Sequence, residues 1–215
     1  MAQIVPAILT NDPNIYKQKM ELYQPFAKRI HVDIADGTFA PTKTLPPNNV
    51  WWPQGTAVDI HMMVARPSEH MQVILQLKPS LCIFHAETGE DLVPIFKQLR
   101  SAGIKAGVAL MKSSFPGDYK SFIEAADHVL VFAGDLGKQG AKADMLQMEK
   151  IPLVKAINPN CEIGWDGGAS MRTVRAIAHA NVDVIDAGAA ISDAQDPGTA
   201  FEELTAELDK RGVVI

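Results

Sequence analysis

Apolar residues recur along this chain in two alternating patterns. Eight short runs are almost wholly apolar, and the longer stretches between them carry apolar residues at every third or fourth position. Short apolar runs are typical of buried strands, and the wider spacing is typical of helices with one buried face. The predicted strands are residues 4–9, 29–34, 58–64, 81–85, 106–111, 128–133, 162–165 and 182–187. The predicted helices are residues 13–26, 67–77, 91–102, 116–126, 143–156, 170–180 and 198–210.

The segment between the second and third strands breaks this alternation. Residues 36–57 are rich in proline, carry Trp51 and Trp52, and show no clear helical spacing. We therefore predict a long loop here. Its two tryptophans mark either a contact surface or a lid, and we expect the protein to form a homo-oligomer.

Eight strands that alternate with helices indicate repeated βαβ units and a parallel sheet. Eight such units predict a closed (β/α)₈ TIM barrel of the α/β class, with residues 1–215 forming a single domain near the short end of the usual length. A doubly wound open sheet is the alternative. The first strand–helix junction, residues 9–12, lacks a glycine-rich phosphate fingerprint, which disfavours a dinucleotide-binding version of that alternative.

Composition and charge narrow the classes of protein. With 47% hydrophobic and 21% charged residues, the chain is typical of a globular protein and not of a disordered or fibrous one. The net charge of −5 argues against general binding to nucleic acid or to an anionic membrane. No apolar run could span a bilayer, and residues 1–11 lack the basic start of a signal peptide. A cytoplasmic protein is therefore expected, with Cys82 and Cys161 as buried reduced thiols.

Polar side chains interrupt the apolar strands near the end where such barrels carry their active sites. With a period of two, His31 and Asp33 share one face of the second strand, and His61 faces the same way as Met63 in the third. Asp166 ends the seventh strand. Taken singly, a buried histidine is more typical of core packing, and an aspartate before two glycines is more typical of a turn. Together the two histidines and two aspartates form a mixed nitrogen and oxygen set suited to Zn²⁺, Fe²⁺, Mn²⁺ or Co²⁺.

Glycines crowd the loops after the last three strands. They are Gly134, Gly137 and Gly140 after the sixth strand, Gly167 and Gly168 after the seventh, and Gly188 after the eighth. Loops after the seventh and eighth strands of such barrels often bind phosphate through backbone N–H groups, although glycine is common in any βα loop. His85, at the end of the fourth strand, either reaches the mouth of the site as a supporting group or only packs there.

Five motifs, in the same order and over nearly the whole chain, make this sequence resemble the ribulose-phosphate 3-epimerase family. Residues 6–12, PAILTND, resemble P-S-I-L-S-A-D, and residues 31–41, HVDIADGTFAP, resemble H-V-D-V-M-D-G-H-F-V-P. Residues 59–63, DIHMM, resemble D-V-H-L-M, and residues 105–108 and 166–168 also match.

The resemblance implies a (β/α)₈ enzyme that epimerises D-ribulose 5-phosphate and D-xylulose 5-phosphate at C3. It implies one divalent metal ion on His31, Asp33, His61 and Asp166, with Asp33 and Asp166 as the acid/base pair. The metal would stabilise an enediolate that forms between two proton transfers. Substrate contacts are implied for nine residues: Thr10, His61, Met63, Gly137, Gly140, Gly167, Gly168, Gly188 and Ala189.

The loops that would hold the substrate depart from the family pattern. After the sixth strand, M-S-V-N-P-G-F-G-G-Q becomes residues 132–141, FAGDLGKQGA, which retain two glycines but introduce Asp135. Three alternatives therefore stay open. They are an epimerase of D-ribulose 5-phosphate, an epimerase of a six-carbon ketose phosphate or an unphosphorylated ketose, and a non-catalytic paralogue that binds metal or sugar.

Overall fold

Eight parallel strands close into a barrel in this computed structural model, which describes residues 2–208 and 210. In chain order the strands are β1 Gln3–Ile8, β2 Arg29–Ala35, β3 Ala57–Met63, β4 Leu81–His85, β5 Lys105–Leu110, β6 His128–Phe132, β7 Glu162–Asp166 and β8 Val184–Ala187. Strand β1 pairs with both β2 and β8, so the sheet has no free edge. The predicted TIM barrel is confirmed, and the open sheet is excluded.

Helices follow the strands around the outside of the barrel. They are α1 Pro13–Tyr23, α2 Met71–Leu77, α3 Leu92–Ser101, α4 Lys120–Ala125, α5 Lys150–Ile157, α6 Val174–His179, α7 Ala189–Ser192 and α8 Pro197–Leu208. Three of them are preceded by a 3₁₀ turn, so the regular helix begins later than its apolar spacing predicts. The short α7 was not predicted. Within the described ranges, no helix has the length and hydropathy needed to cross a membrane.

The long loop predicted for residues 36–57 contains one 3₁₀ turn, Pro47–Asn49, and no α-helix. Asp36 fixes its start, because one carboxylate oxygen accepts hydrogen bonds from the backbone N–H groups of Thr38 and Phe39. The Tyr16 hydroxyl on α1 donates a 2.7 Å hydrogen bond to the carbonyl of Trp51. The loop is thus tied to the outer helices, and the role of its tryptophans stays a prediction.

Strict alternation of side chains divides each strand between two environments. In β2, Ile30, Val32 and Ile34 join the large apolar core between the barrel and its helices. His31 and Asp33 point the other way, into the lumen, where they meet side chains from other strands. The lumen has its own apolar cluster, formed by Leu81, Ile83, Ala109 and Leu130. The chemistry-bearing face of β2 is therefore the face that the period of two predicted.

An ionic network lies inside the barrel at the end where the strands begin. The Arg29 guanidinium donates to Asp59 at 2.7 Å and to both carboxylate oxygens of Glu162 at 3.0 and 2.8 Å. His128 Nδ1 lies 2.8 Å from Glu162 Oε2, and Gly164 leaves room for the imidazole, since a Cβ there would collide with it. Burial raises the pKa of Glu162, but His128 and Arg29 outweigh burial and hold the pKa well below its usual range.

We predict that Glu162→Gln lowers the free energy of unfolding by about 1–3 kcal/mol at pH 7, because the charged hydrogen bonds lose their acceptor. The pKa of the Glu162 carboxyl is lower in the folded state than in the unfolded state. Its contribution to the free energy of unfolding is therefore complete above the unfolded pKa of about 4.3. That contribution is lost as the pH falls from this value through the folded pKa. Urea titrations at pH 7, 5 and 3 should show the gap between the two proteins closing at acid pH.

Glu203→Gln on the exposed face of α8 is the matched control and should leave the urea midpoint nearly unchanged. A gap between Glu162→Gln and the natural chain that stays constant down to pH 3 would contradict the ionic role assigned to Glu162.

Candidate active site

The carboxyl end of the barrel brings together the four side chains that the sequence marked as metal ligands. His31, Asp33, His61 and Asp166 each offer one ligand atom, and all four atoms lie within 4.8 Å of one another. Asp33 Oδ1 is 3.2 Å from His31 Nε2 and 3.0 Å from His61 Nδ1, and Asp166 Oδ2 is 3.6 Å from His61 Nδ1. Strands β2, β3 and β7 thus converge on one point.

These separations suit a shared divalent cation. Bonds of about 2.1 Å from one cation to imidazole nitrogen and carboxylate oxygen place the ligand atoms roughly 3–4 Å from each other. Three of the six pairs lie at 3.0–3.6 Å, and no pair is farther apart than 4.8 Å. Two imidazoles and two carboxylates are also the borderline donor set that Zn²⁺, Fe²⁺, Mn²⁺ and Co²⁺ accept. The cluster can therefore hold a metal ion, and its donor types do not name which one.

Burial and neighbouring charge shift the pKa values of Asp33 and Asp166 in opposite directions. Burial raises the pKa of Asp33, but the neighbouring His31 outweighs burial and holds that pKa well below its usual range. For Asp166, burial and the negative charge of Asp33 both raise the pKa well above its usual value. Asp166 keeps 18% of its side chain exposed to the cavity, whereas Asp33 keeps 9%. Two carboxyls at close range in unlike environments are a frequent arrangement for acid/base chemistry.

His31 is flanked by a second carboxylate that the sequence reasoning missed. Asp186 on β8 is 3% exposed, and its Oδ2 lies 3.2 Å from His31 Nδ1, on the far side of the ring from Asp33. Burial lowers the pKa of His31, but Asp186 and Asp33 outweigh burial and hold it well above its usual value. The signal was present, because Asp186 is a charged residue inside an otherwise apolar strand.

His85 reaches the cluster from behind. Its Nε2 lies 2.9 Å from His61 Nε2, and its Nδ1 lies 3.3 Å from Glu87 Oε2. Burial lowers the pKa of His61 to about 4, with Asp33 opposing that effect, so the His61 imidazole is neutral near pH 7. A supporting role for His85 matches this geometry, but the ring lies behind the cluster and not at the mouth of the site, where the sequence placed it. Glu87 was not singled out in the sequence.

A cavity of about 670 Å³ opens above the cluster. Asp33 and Asp166 form part of its lining, and Met63 and Phe132 add apolar surface. Seven of the residues assigned to substrate contact also line it: Met63, Gly137, Gly140, Gly167, Gly168, Gly188 and Ala189. His61 lies behind this lining and is fully buried. The Thr10 hydroxyl accepts from the backbone N–H of Asp12, and Leu9 rather than Thr10 belongs to the described lining, so the Thr10 contact stays a prediction.

The altered loop after β6 is tied to its surroundings by contacts of its own. Lys112 Nζ is 3.0 Å from Asp135 Oδ1, and the Thr42 hydroxyl donates to the carbonyl of Gly137 at 2.6 Å. Gln139 Nε2 donates to the hydroxyl of Ser192 at 2.9 Å, which ties the loop to the last residue of α7. Three cations also face the cavity: Lys138, Lys142 and Arg172. The loop therefore covers one side of the cavity, and the lining contains cations as well as carboxylates.

Family membership follows from sequence comparison. A family model described as the Ribulose-phosphate 3 epimerase family matches residues 3–192. The chain belongs to the ribulose-phosphate 3-epimerase family. Membership of this family makes it an isomerase of the class that epimerises carbohydrates. The resemblance stated from five motifs is confirmed.

Curated members of the epimerase family match along most of their length. The ribulose-phosphate 3-epimerase of Schizosaccharomyces pombe is 30% identical over 203 residues, which cover 91% of this chain and 89% of the yeast protein. The Helicobacter pylori enzyme of the same name is 28% identical over 209 residues, which cover 94% of this chain and 96% of that protein.

Solved structures share the barrel of this epimerase-family chain. KGPDC from Streptococcus mutans, solved in complex with a ligand, has a TM-score of 0.73 at 12% identity and covers 96% of this chain and 97% of its own. The 3-hexulose-6-phosphate synthase of Salmonella typhimurium has a TM-score of 0.68 at 16% identity and covers 96% and 98%. At these identities the likeness shows the fold alone.

Gly168 lies in the cavity wall, where its backbone passes very close to the backbone of Ala143. Its φ is +67°, and a Cβ there would collide with the backbone of Ala143. We predict that Gly168→Ala lowers the free energy of unfolding by roughly 1–3 kcal/mol, because both the backbone conformation and the close approach favour glycine. Gly103→Ala is the control, since φ is +79° there but nothing lies within 4 Å of the new Cβ. Equal losses in urea unfolding would show that the close approach has no cost.

Proposed function

We propose that this chain interconverts D-ribulose 5-phosphate and D-xylulose 5-phosphate by moving a proton at C3. The observation that carries the proposal is the pair Asp33 and Asp166. The two carboxylates come from β2 and β7, which β8 and β1 separate, yet both line the same cavity and both belong to the ligand cluster. The family and its curated relatives support this reaction.

Inverting a carbinol carbon beside a ketone needs a base on one face of the carbon and an acid on the other. In the proposed reaction one aspartate takes the C3 proton, and the electrons of the C–H bond enter an enediolate. The other aspartate, in its acid form, gives its proton to the opposite face of C3. The products are the epimer and the same two aspartates with exchanged protonation states, so the reverse reaction uses the same groups.

We propose that His31, Asp33, His61 and Asp166 together hold one divalent ion: Zn²⁺, Fe²⁺, Mn²⁺ or Co²⁺. When bound, such an ion would supply positive charge beside the oxygens on which negative charge develops. His31 and His61 then position the cluster. Met63 and Phe132 exclude water above it, because they are among the larger apolar side chains of the lining.

The phosphate of the substrate is proposed to lie at the glycine-rich side of the cavity. Gly137, Gly140, Gly167, Gly168 and Gly188 line that side, and Ala189 continues it. Backbone N–H groups in such loops bind phosphate, and the three lining cations favour a dianion. We retain Thr10, which follows β1 next to β8, as a proposed contact. A larger or unphosphorylated ketose is the second candidate substrate, favoured by Asp135 and Gln139 in the altered loop.

Asp33→Asn and Asp166→Asn are each predicted to lower kcat by about 10²–10⁴-fold or more, because each removes one of the two proton carriers. Far-ultraviolet circular dichroism should stay unchanged. Asp118→Asn, in an exposed turn, is the matched control and should retain full turnover. An Asp166→Asn protein with near-natural kcat would refute the two-carboxylate mechanism.

Removal of divalent metal by a chelator is predicted to abolish turnover, and adding Zn²⁺, Fe²⁺, Mn²⁺ or Co²⁺ is predicted to restore it. The reconstituted protein should be assayed on D-ribulose 5-phosphate, with D-allulose 6-phosphate and free ketoses alongside. Preference for the five-carbon phosphate is expected. Metal binding with turnover of another ketose would move the function to the second candidate, and metal binding with no turnover at all would indicate a binding protein.

A further inference from the structure

A line of polar side chains runs from the ligand cluster away from the cavity. His61 Nδ1 faces Asp33 and Asp166, and its other ring nitrogen, Nε2, lies 2.9 Å from His85 Nε2. His85 Nδ1 in turn lies 3.3 Å from Glu87 Oε2. Neither His85 nor Glu87 belongs to the described cavity lining. The proton transfers at C3 use neither residue, so their arrangement has another physical cause.

Glu87 lies at the far end of this line, and its surroundings hold it as a hydrogen-bond acceptor. Glu87 Oε1 accepts from the backbone N–H of Met111 at 2.9 Å and from the hydroxyl of Ser114. Lys150 holds the chain that carries these donors, because its ammonium donates to the carbonyls of Met111 and Lys112. Burial raises the pKa of Glu87, but the hydrogen bonds from His85, Ser114 and Met111 outweigh burial and keep it below its usual value.

The acceptor at Glu87 sets the direction of every hydrogen bond along the line. His85 must carry its proton on Nδ1 to donate to Glu87, so His85 Nε2 presents a lone pair. His61 must then donate from Nε2, which leaves the lone pair of His61 on Nδ1, facing the cluster. Asp33 competes for a proton on that same nitrogen, but Asp33 Oδ1 also has His31 Nε2 as a neighbour at 3.2 Å.

We propose that Glu87 and His85 are positioning residues that fix the tautomer and ring orientation of His61, so that His61 Nδ1 presents a lone pair to a divalent cation. The inference rests on the proposed function, because it needs the metal site. Histidines that bind metal usually donate their other N–H to an acceptor, and loss of that acceptor typically costs 10–100-fold in metal affinity. Here the acceptor is a second histidine, and the carboxylate acts through it.

The packing around His85 leaves little room for another arrangement. The ring is fully buried. Its centroid lies 4.9 Å from that of His61, 5.0 Å from that of Phe39 and 5.7 Å from that of Phe132. Rotation of the ring would therefore displace aromatic side chains. A change of tautomer moves only protons. We therefore expect a substitution at Glu87 to change the tautomers of His85 and His61 and to leave their rings in place.

Glu87→Gln is the decisive substitution, because it is predicted to reverse the line. The new amide must turn its carbonyl toward the Met111 N–H, which can only donate, and its NH₂ group then faces His85 Nδ1. His85 would accept on Nδ1 and donate from Nε2, and His61 would carry its proton on Nδ1. Glu90→Gln is the matched control, since Glu90 lies three residues along and its carboxylate binds Ser68 instead.

The first readout is the histidine tautomer, observed by ¹⁵N NMR on the full chain after metal removal, at pH 7.5. The natural protein and Glu90→Gln are expected to show the Nδ1–H form of His85 and the Nε2–H form of His61. Glu87→Gln is expected to show both reversed. If Glu87→Gln does not fold, the spectrum of the natural protein still tests the proposal. An Nδ1–H form of His61 in the natural protein would overturn it.

The second readout is Zn²⁺ affinity, measured by competition with a chelator. We expect Glu87→Gln to weaken binding by about 10–100-fold and Glu90→Gln to leave it unchanged. In a His85→Gln background, Glu87→Gln should cause little further loss, since the line is already interrupted. Equal losses in both backgrounds, or no loss in either, would overturn the proposal. If the natural protein binds no Zn²⁺, the proposed metal site fails, while the tautomer spectrum still tests the hydrogen-bond direction separately.

Discussion

The burial of acidic and imidazole side chains inside a closed barrel is the constraint on which the rest of this structure depends. A charged group in a water-poor lumen is costly unless it is paired or neutralised. The lumen holds Asp33, Asp59 and Asp186 at single-digit exposures, together with His31 and His61. Each carboxylate has a cationic or imidazole group within 3.2 Å. The charges thus restrict one another's positions, and the strands hold that arrangement.

The two ends of the lumen meet this constraint differently. At the end where the strands begin, Arg29 and Glu162 neutralise each other through two hydrogen bonds, and Leu81 and Leu130 fill space nearby. At the other end, carboxylates and imidazoles outnumber fixed cations, and a cavity opens above them. An end with satisfied charges contributes stability. An end with closely spaced acidic groups suits a divalent ion and proton transfer.

Much of this arrangement was predictable because it follows from periodicity. The period of two in β2 and β3 places His31, Asp33 and His61 in the lumen whatever the loops do. Residues outside a recognisable spacing were missed for physical reasons. Asp186 and Glu87 matter through neighbours that are distant in sequence, such as His31 and Ser114, and those contacts exist only once the sheet has closed. The short α7 and the 3₁₀ turns were also missed, because brief local segments carry little periodic signal.

The contacts made by the loops were less predictable from the sequence than those made by the strands. The glycines of the altered loop, Gly137 and Gly140, remained recognisable because a positive φ restricts the choice of residue at both positions. The side chains between them are not restricted in that way. Gln139 reaches Ser192 and Lys112 reaches Asp135, contacts that a sequence pattern cannot express. Under the proposed function, substrate choice depends on such contacts, whereas the proposed proton-transfer pair depends only on the barrel.

The central claim is that two carboxylates from different strands move protons on opposite faces of one carbon. Its most direct measurement is the metal-reconstituted reaction of D-ribulose 5-phosphate in D₂O, with the C3 position of the first-formed D-xylulose 5-phosphate examined by NMR. The account predicts one solvent deuterium at C3 of the product, because the acid that reprotonates the carbon is not the base that took the original proton. D-Xylulose 5-phosphate that retains the original hydrogen at C3 would contradict it.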